Sequence, residues 1–442
     1  MKKLIQLKLK ILAKMVLAKY KPDIIGITGS VGKTSAKEAI STILASKFKI
    51  RKNIKNYNNE IGLPLTIIGV ESPGKSIFGW CGVLFKALNL LLFKDKDYPK
   101  ILVLEMGVDR PGNMKYLNSI VKCNIGVVTL IGPAHLEFFG TIEKIQKEKS
   151  ELIRNLHSNG WAILNFDNEK TKEIGNKSNV KLLSYGFKEG ANVRAQELKF
   201  SFEKNKDINN LLGLSFKLTY NGSFVPVLLP KIIGYNAVYA SLAGAAVGIT
   251  YGMNLVEVAE SLRNYNSPPG RMNLIKGIKN TLIIDDTYNS SPQSSMSALD
   301  VIKNIPIAKG ARKFAVLGDM LELGSYTEEG HREIGRYLLK SNINKLIVVG
   351  EKARDIARGA EKAGMKKDNI FSFSDVEEAG KFTQNRIRKG DLVFVKGSQG
   401  MRMEKIVKEI MAEPLHAKEL LVRQDEQWLK PGAMRMTRII CK

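Results

Sequence analysis

Short apolar strands that alternate with helical stretches, a glycine-rich turn after the first strand, and a second such alternation beyond a Pro-Pro-Gly break predict an α/β protein. The expected architecture is a central domain on a parallel sheet with a phosphate-binding loop (P-loop), followed by a C-terminal Rossmann-like α/β domain. The 442 residues suffice for two or three domains, and 44% hydrophobic with 7% aromatic residues is ordinary for a folded chain.

Residues 1–22 read as a basic helix. Lys8, Lys10 and Lys14 interrupt its apolar run and no small-residue cleavage site follows, which argues against a secretory signal. On a helical wheel Lys2, Lys3, Gln6, Lys10 and Lys14 share one side, and Ile5, Leu9, Leu12 and Val16 the other. That pattern suits an interfacial helix on anionic lipid or a helix packed on its own domain. Asp23–Thr28 is a short apolar strand, and Ala36–Leu44 the helix that follows it. Lys100–Leu104, Ile125–Leu130 and Trp161–Asn165 are further buried strands, with a polar helix over Thr141–Leu156. Ser76–Phe93 is apolar for about one minimal membrane span. Lys86 near its centre would cost roughly 2.5–3.5 kcal/mol on insertion, and a span there would split one domain across a bilayer. A buried or surface-dipping helix is expected instead.

Leu198–Phe202, Leu212–Tyr220 and Phe224–Leu229 look like antiparallel strands, with Asn221-Gly222 as a hairpin turn. Asn236–Tyr251 is a helix rich in small residues, and Ser267-Pro268-Pro269-Gly270 then breaks the chain. The expected domains are 1–22, 23–268 and 269–442. The last carries strands at Thr281–Ile284, Phe314–Leu317, Lys345–Val349 and Leu392–Val395, and no phosphate loop of its own.

Charge is the unusual feature. Lys and Arg total 69 against 43 Asp and Glu, a balance of +26. Residues 1–55 hold 14 basic residues against Asp23 and Glu38, a local balance of +12. Such a surface attracts nucleic acid, anionic lipid or phosphorylated substrate, or is a solvated face. No aromatic-basic RNA motif or helicase set accompanies it, so nucleic acid is disfavoured. Cys81, Cys123 and Cys441 are odd in number and widely spaced, which fits a reducing cytoplasm rather than a disulfide framework.

The strongest chemical signal is Gly29-Ser30-Val31-Gly32-Lys33-Thr34, between a strand and a helix. Glycines let backbone N–H groups approach phosphate oxygens, and the helix N terminus favours negative charge. Lys33 would reach the β- and γ-phosphates and Thr34 would hold Mg²⁺. Ile27 stands at the first glycine position of the strict pattern. Glu105 follows the strand KILVL, at the sheet edge beside the loop, where a carboxylate can ligate Mg²⁺. His135 follows the next strand. Lys149, in QKEKSEL, reads from sequence alone as a solvated helix lysine.

These motifs converge on one family. GSVGKT, NYNNEIGLP (56–64), Glu105-Met106-Gly107, AHLE (134–137), KEKSE (147–151), Gly270-Arg271, DDTYNSSP (285–292), LGDMLELG (317–324) with His331, and Lys396-Gly397-Ser398 occur in the order of the Mur ligases. The chain resembles that family over about residues 23–411, and most closely its branch that adds D-alanyl-D-alanine to a peptidoglycan-precursor peptide. The resemblance implies ATP and Mg²⁺ as cofactors. It assigns Gly29–Thr34, Asn236, Arg271 and Asp286 to the nucleotide, and Thr34, Glu105, His135 and Lys149 to the metals. Lys33, His135 and Lys149 would be catalytic, and Asn58, Asn59, Tyr288 and Asn289 would meet substrate. Lys149 matches a lysine carbamylated by CO₂ in several Mur ligases, an anion that can serve Mg²⁺ where an ammonium cannot.

There are departures. Tyr235 stands where the family usually has His. Ser291 and Gln293 replace the second Asn and the acid of its Y-N-A-N-P-[DE]-S motif, which touches recognition of the amino substrate. Only about 28 residues precede the loop, where the family's usual N-terminal domain of ~80–100 residues holds the UDP end. A different carrier, or a different way of holding that end, is therefore expected. Residues 412–442 match no motif. The rival readings are a folylpolyglutamate-type ligase, against which NNEIGLP and DDTYN argue, and a membrane- or nucleic-acid-associated P-loop ATPase.

Overall fold

The computed structural model describes residues 2–54, 57–74, 76–133, 136–204 and 208–429. Two compact units make up the chain. The first holds the residues up to Leu198 together with Phe216–Leu228 and Asn236–Asn266; the second holds Lys199–Ser215, Leu229–Tyr235 and the chain from Ser267 onward. Ile208 and Ile233 lie in one core with Met272 and Ile284, which draws two pieces of the 199–235 region into the second unit.

In the first unit the order is α1 (Lys2–Tyr20), β1 (Asp23–Thr28), α2 (Lys33–Ala45), β2 (Ile50–Lys52), α3 (Gly62–Ile68), α4 (Ile77–Leu92), β3 (Ile101–Glu105), α5 (Asn113–Asn118), β4 (Ile125–Val128), α6 (Leu136–Phe139), α7 (Ile142–Arg154), β5 (Trp161–Asn165), α8 (Glu169–Asn176) and β6 (Lys181–Gly186). Strands β7 (Val193–Phe202), β8 (Leu211–Tyr220) and β9 (Ser223–Pro230) follow, each divided between the two units, and α9 (Tyr235–Thr250) and α10 (Leu255–Leu262) close the first. The sheet order is β2-β3-β1-β4-β5-β6-β7-β8-β9, and every pairing from β2 to β7 is parallel. β1 lies inside this sheet, so its run Ile24–Thr28 is buried without alternation. β8 and β9 are joined through Asn221 (φ 47°) and Gly222 (φ 79°), the left-handed pair of a two-residue hairpin turn.

Two helices needed the structure to interpret. α4 buries a single stripe, Val83, Ala87 and Leu90, and turns its other residues outward or to the edge. Among the described residues no helix is long and apolar enough to cross a membrane. α1 packs into the same core through Leu9, Ala13 and Val16. The polar side of the wheel is not uniformly solvated: Lys10 Nζ donates to Ser119 Oγ at 2.5 Å and lies over the Tyr116 ring.

The second unit runs β10 (Asn273–Gly277), β11 (Thr281–Asp286), α11 (Pro292–Lys303), β12 (Lys313–Gly318), α12 (Thr327–Leu338), β13 (Lys345–Val349), α13 (Arg354–Lys362), β14 (Ile370–Phe373), α14 (Val376–Arg386), β15 (Leu392–Lys396) and α15 (Glu404–Ile410). Its sheet order is β10-β11-β15-β12-β13-β14, parallel except for the β10–β11 edge. Two hydrophobic clusters share the strands in alternation, Ile284, Leu317 and Val348 in one and Ile283, Val316 and Ile347 in the other, so both faces are covered.

Candidate functional site

β1 ends at Thr28 and the chain turns through Gly29 at φ 148°. A Cβ at Gly29 would lie 2.0 Å from Thr129 Oγ1, so only glycine fits this close approach. The end of β4 fixes the loop. Ser30 N donates to Leu130 O at 2.6 Å, Thr129 Oγ1 to Val31 O at 2.6 Å, and Ser30 Oγ to Gly132 O at 3.0 Å. Asn168 clamps the same segment from below, its amide bonded to both the N–H and the carbonyl of Ile131. Gly32 caps α2 in the left-handed conformation with no side-chain cap bond, which leaves the first-turn N–H groups to an anion. Lys33 Nζ folds back over the loop onto Gly29 O at 2.8 Å, and Thr34 sits half-buried in the first turn.

Glu105 is buried at the end of β3, in register with Ile27 of β1. Asn53 holds its backbone on both sides: Glu105 N donates to Asn53 Oδ1 at 2.9 Å, and Asn53 Nδ2 donates to Glu105 O at 3.0 Å. Asn58 Nδ2 donates to the carboxylate oxygen Oε1 at 3.1 Å, and Gly107 N donates to Asn58 O at 2.8 Å. A Cβ on Gly107 would lie 2.8 Å from the Asn58 side chain, so the glycine lets the two segments meet. Asn58 therefore acts on Glu105 directly. Its neighbour Asn59 lies just before α3, its Oδ1 accepting from Ile61 N and Gly62 N. His135 lies outside the described residues.

Lys149, on α7, is only 2% exposed, which removes the solvated-lysine reading. Burial, and then the neighbouring Lys33, push its pKa down to about 7; Asp109 and Glu148 act weakly in the opposite sense. Glu148 is itself engaged, accepting from Gly112 N and Met114 N at the start of α5. Lys149 thus stands beside Lys33 of the loop, and Glu105 ends the strand next to β1. The oxygen donors there, the Thr34 hydroxyl and the Glu105 carboxylate, are of the hard type that Mg²⁺ takes. Asn236, at the start of α9, lines a cleft with Val31, Gly32, Ala36, Tyr185 and Tyr239. Tyr239 OH donates to Asp167 Oδ2 at 2.8 Å, and Asp167 also accepts from Phe187 N and Lys188 N.

The second unit builds a separate polar site at the end of β11. Asp286 pairs with Lys396 Nζ at 2.6 Å, and Lys396 also donates to Asn289 O at 2.9 Å. Asp285 is fully buried; its Oδ1 accepts from Thr287, and desolvation pushes its carboxyl up to about 7. The Arg271 guanidinium lies 4.1 Å over the Tyr288 ring, and its buried Nε has no hydrogen-bond partner among the described residues. Asn289 is exposed and its Oδ1 accepts from Ser290 N. Sequence reasoning missed the brace of this loop. Arg423 donates to Thr287 O at 3.0 Å and Tyr288 O at 2.6 Å, and pairs with the buried Glu404, whose other oxygen holds Arg402. Thr129 and Asn53 were missed as well. Thr129 had the signal used for Glu105, a polar residue at a strand end; Asn53 had none.

A family model described as the Mur ligase middle domain matches residues 27–78 and 86–247, and one described as the Mur ligase, glutamate ligase domain, matches 270–399. A ligase from Rickettsia prowazekii named UDP-N-acetylmuramoyl-tripeptide–D-alanyl-D-alanine ligase is 30% identical over 406 residues, 90% of this chain and 80% of the relative. The chain belongs to the Mur ligase family. A relative of the same name from Bacillus subtilis is 29% identical over 405 residues, covering 91% of this Mur ligase and 79% of the relative. Among solved structures, MurF ligase from Thermotoga maritima in complex with ADP aligns with a TM-score of 0.73 at 28% identity, over 93% of this chain and 84% of that one. MurF from Acinetobacter baumannii aligns with a TM-score of 0.73 at 26% identity, over 91% of this chain and 79% of that one.

Proposed function

We propose that this Mur ligase joins D-alanyl-D-alanine to the terminal peptide carboxylate of UDP-N-acetylmuramoyl-tripeptide, consuming ATP and releasing ADP and phosphate. In the reading, a carboxylate oxygen attacks the γ-phosphorus and ADP leaves, giving an acyl phosphate. The amine of D-alanyl-D-alanine then attacks the acyl carbon, loses a proton, and expels phosphate. Gly29–Thr34 would cradle the ATP phosphates, Lys33 would neutralise charge on the transferred group, and Asn236 would border adenine. Mg²⁺, when bound by Thr34, Glu105 and the modified Lys149, together with His135, would supply further charge neutralisation. Arg271 and Asp286 are assigned to the nucleotide, and Tyr288 and Asn289 to the amino substrate. The location that goes with this reading is the cytoplasm, peripheral at the inner face of the plasma membrane.

The observation that carries the reading is Lys149. It is buried beside Lys33, and burial with that neighbour pushes its pKa down to about 7, toward the free amine that adds to CO₂. A lysine with only a packing role gains nothing from a cationic neighbour. The shared name of relatives matched over most of their length supports D-alanyl-D-alanine as the acceptor. Product mass tests it. Purified protein with ATP, Mg²⁺ and UDP-N-acetylmuramoyl-tripeptide should yield the dipeptide-extended product only when D-alanyl-D-alanine is added. Extension with glutamate instead, or ATP hydrolysis indifferent to both peptides, would contradict the reading.

A further inference from the structure

Helices α1 and α4 carry an unusual outer surface that the proposed reaction does not use. Their inner stripes, Leu9, Ala13 and Val16 on α1 and Val83, Ala87 and Leu90 on α4, lie in one hydrophobic core. The ends of the two helices are bolted together. Lys19 Nζ donates to the carbonyls of Leu90, Leu91 and Phe93 at 2.8–2.9 Å, and Tyr20 OH donates to Leu90 O at 3.0 Å. Lys19 thereby serves as a side-chain cap for the C terminus of α4. The pair forms a braced platform rather than two loose arms.

Outward, both helices repeat apolar residues at helical spacing. On α4 the stripe is Phe78, Cys81, Phe85, Leu88 and Leu92; Phe78 is 89% exposed, Phe85 73% and Leu92 74%. On α1 it is Leu4, Leu7, Ile11 and Met15, each about half exposed. Exposed Lys8 and Lys14 stand beside that stripe. Neither 1–22 nor 76–94 contains a single Asp or Glu, whereas they hold seven and two lysines respectively.

We infer that the outer faces of α1 and α4 form a docking surface for the anionic leaflet of a lipid bilayer. Charge complementarity selects this occupant: large apolar groups flanked by lysines and free of acid are the composition of an interfacial helix on acidic headgroups. The nearest acids along the chain, Asp95 and Asp97, lie past the C terminus of α4, and Asp97 is paired with Lys49, so a basic protein partner would meet little free acid there. α4 at 16 residues, with Lys86 in its length, lies in the interface rather than across it. The inference stands on the surface alone and is independent of the proposed activity.

The test uses the full chain and needs no turnover. Co-sedimentation with phosphatidylglycerol–phosphatidylcholine vesicles at low salt should show binding that is lost with pure phosphatidylcholine and weakened by raised salt. Lys8→Gln with Lys14→Gln should weaken it about 25-fold, roughly fivefold per lysine near an anionic surface. Phe78→Ser with Phe85→Ser should abolish it while leaving ATP turnover unchanged. A polarity-sensitive dye on Cys81, in a Cys441→Ser background with Cys123 buried, should shift to the blue only with the acidic vesicles. Absence of binding, equal binding to both vesicle types, or indifference to both double variants would overturn the inference. So would a concentration-dependent dimer removed by the Phe double variant without lipid binding, which gives the surface to a second copy. Binding that appears only after deletion of residues 430–442 would give it to the chain's own tail.

Discussion

The Gly29–Thr34 loop of the first unit and the Asp285–Ser290 loop of the second are both polar loops at strand ends, but they are held by different physics. Gly29–Thr34 is fixed by neutral, mostly short-range bonds to the end of β4, through Ser30, Thr129 and Asn168. Of the charges there, Lys33 bonds the loop's own carbonyls at Gly29 and Ser30, and Lys149 stands beside it. The 285–290 loop is held by charge instead: Asp286 on Lys396, and the Thr287 and Tyr288 carbonyls on Arg423, which is itself balanced by Glu404. A loop held by neutral groups can spend its charges on a ligand. In a loop held by buried charges the same residues must serve the fold, and losing one leaves its partner desolvated and unpaired.

The contrast can be broken most sharply at Glu404. Glu404→Ala strands Arg402 and Arg423 in the interior and should lower unfolding free energy by about 3–5 kcal/mol, read by urea denaturation. A loss near that of an exposed pair would mean that charge does not hold the second loop. Lys33→Ala should do the converse. ATP turnover should fall by roughly 10²–10³-fold, the scale for removing one preorganised donor, while stability falls by no more than the ~1 kcal/mol of one hydrogen bond. Wild-type-like turnover would refute the phosphate-loop assignment.

Lys149→Ala should cost about 10²-fold on the same scale, with partial rescue by acetate, because the missing element is an anion. In the parent, burial holds the amine near pH 7. Below that it is an ammonium without a lone pair for CO₂; above it the free amine dominates. Carbamate observed with ¹³C-bicarbonate, and activity with it, should therefore rise as pH climbs through about 7. A profile flat from pH 6 to about 8, or no acetate effect, would return Lys149 to packing. The smallest effect belongs to Thr129→Val. It removes the bond to Val31 O and should cost about 1 kcal/mol, visible as a severalfold rise in KM for ATP with KM for the amine unchanged. Equal rises in both would argue that the loop is not a local device.

The same physics decides what could be read from the chain. β1, β3, β4 and β5, and the parallel strands of the second unit, are runs of apolar residues because both faces are covered, so they were legible. β2 and β14 are short edge strands of half-exposed residues and left no signal. The phosphate loop and Glu105 are local motifs at strand ends. Arg423 touches residues 135 positions away, within a stretch that matched nothing, and no local pattern could have named it. Lys149 sits among charged neighbours in sequence and looked solvated; its burial arises from packing across the fold. On α1 the periodicity found the inner stripe, but the wheel missed Leu4, Leu7, Ile11 and Met15 on the outside and left no hint that Lys10 turns inward.

In the proposed reaction the substrate carboxylate is activated as an acyl phosphate before the amine attacks. The most direct measurement labels both terminal carboxylate oxygens of UDP-N-acetylmuramoyl-tripeptide with ¹⁸O and runs the ligation in unlabelled water with unlabelled ATP and D-alanyl-D-alanine. The oxygen that attacks the γ-phosphorus must leave with it, so the account predicts one ¹⁸O in each phosphate released and one retained in the new amide. Unlabelled phosphate, whether with product formed or without, would contradict the account.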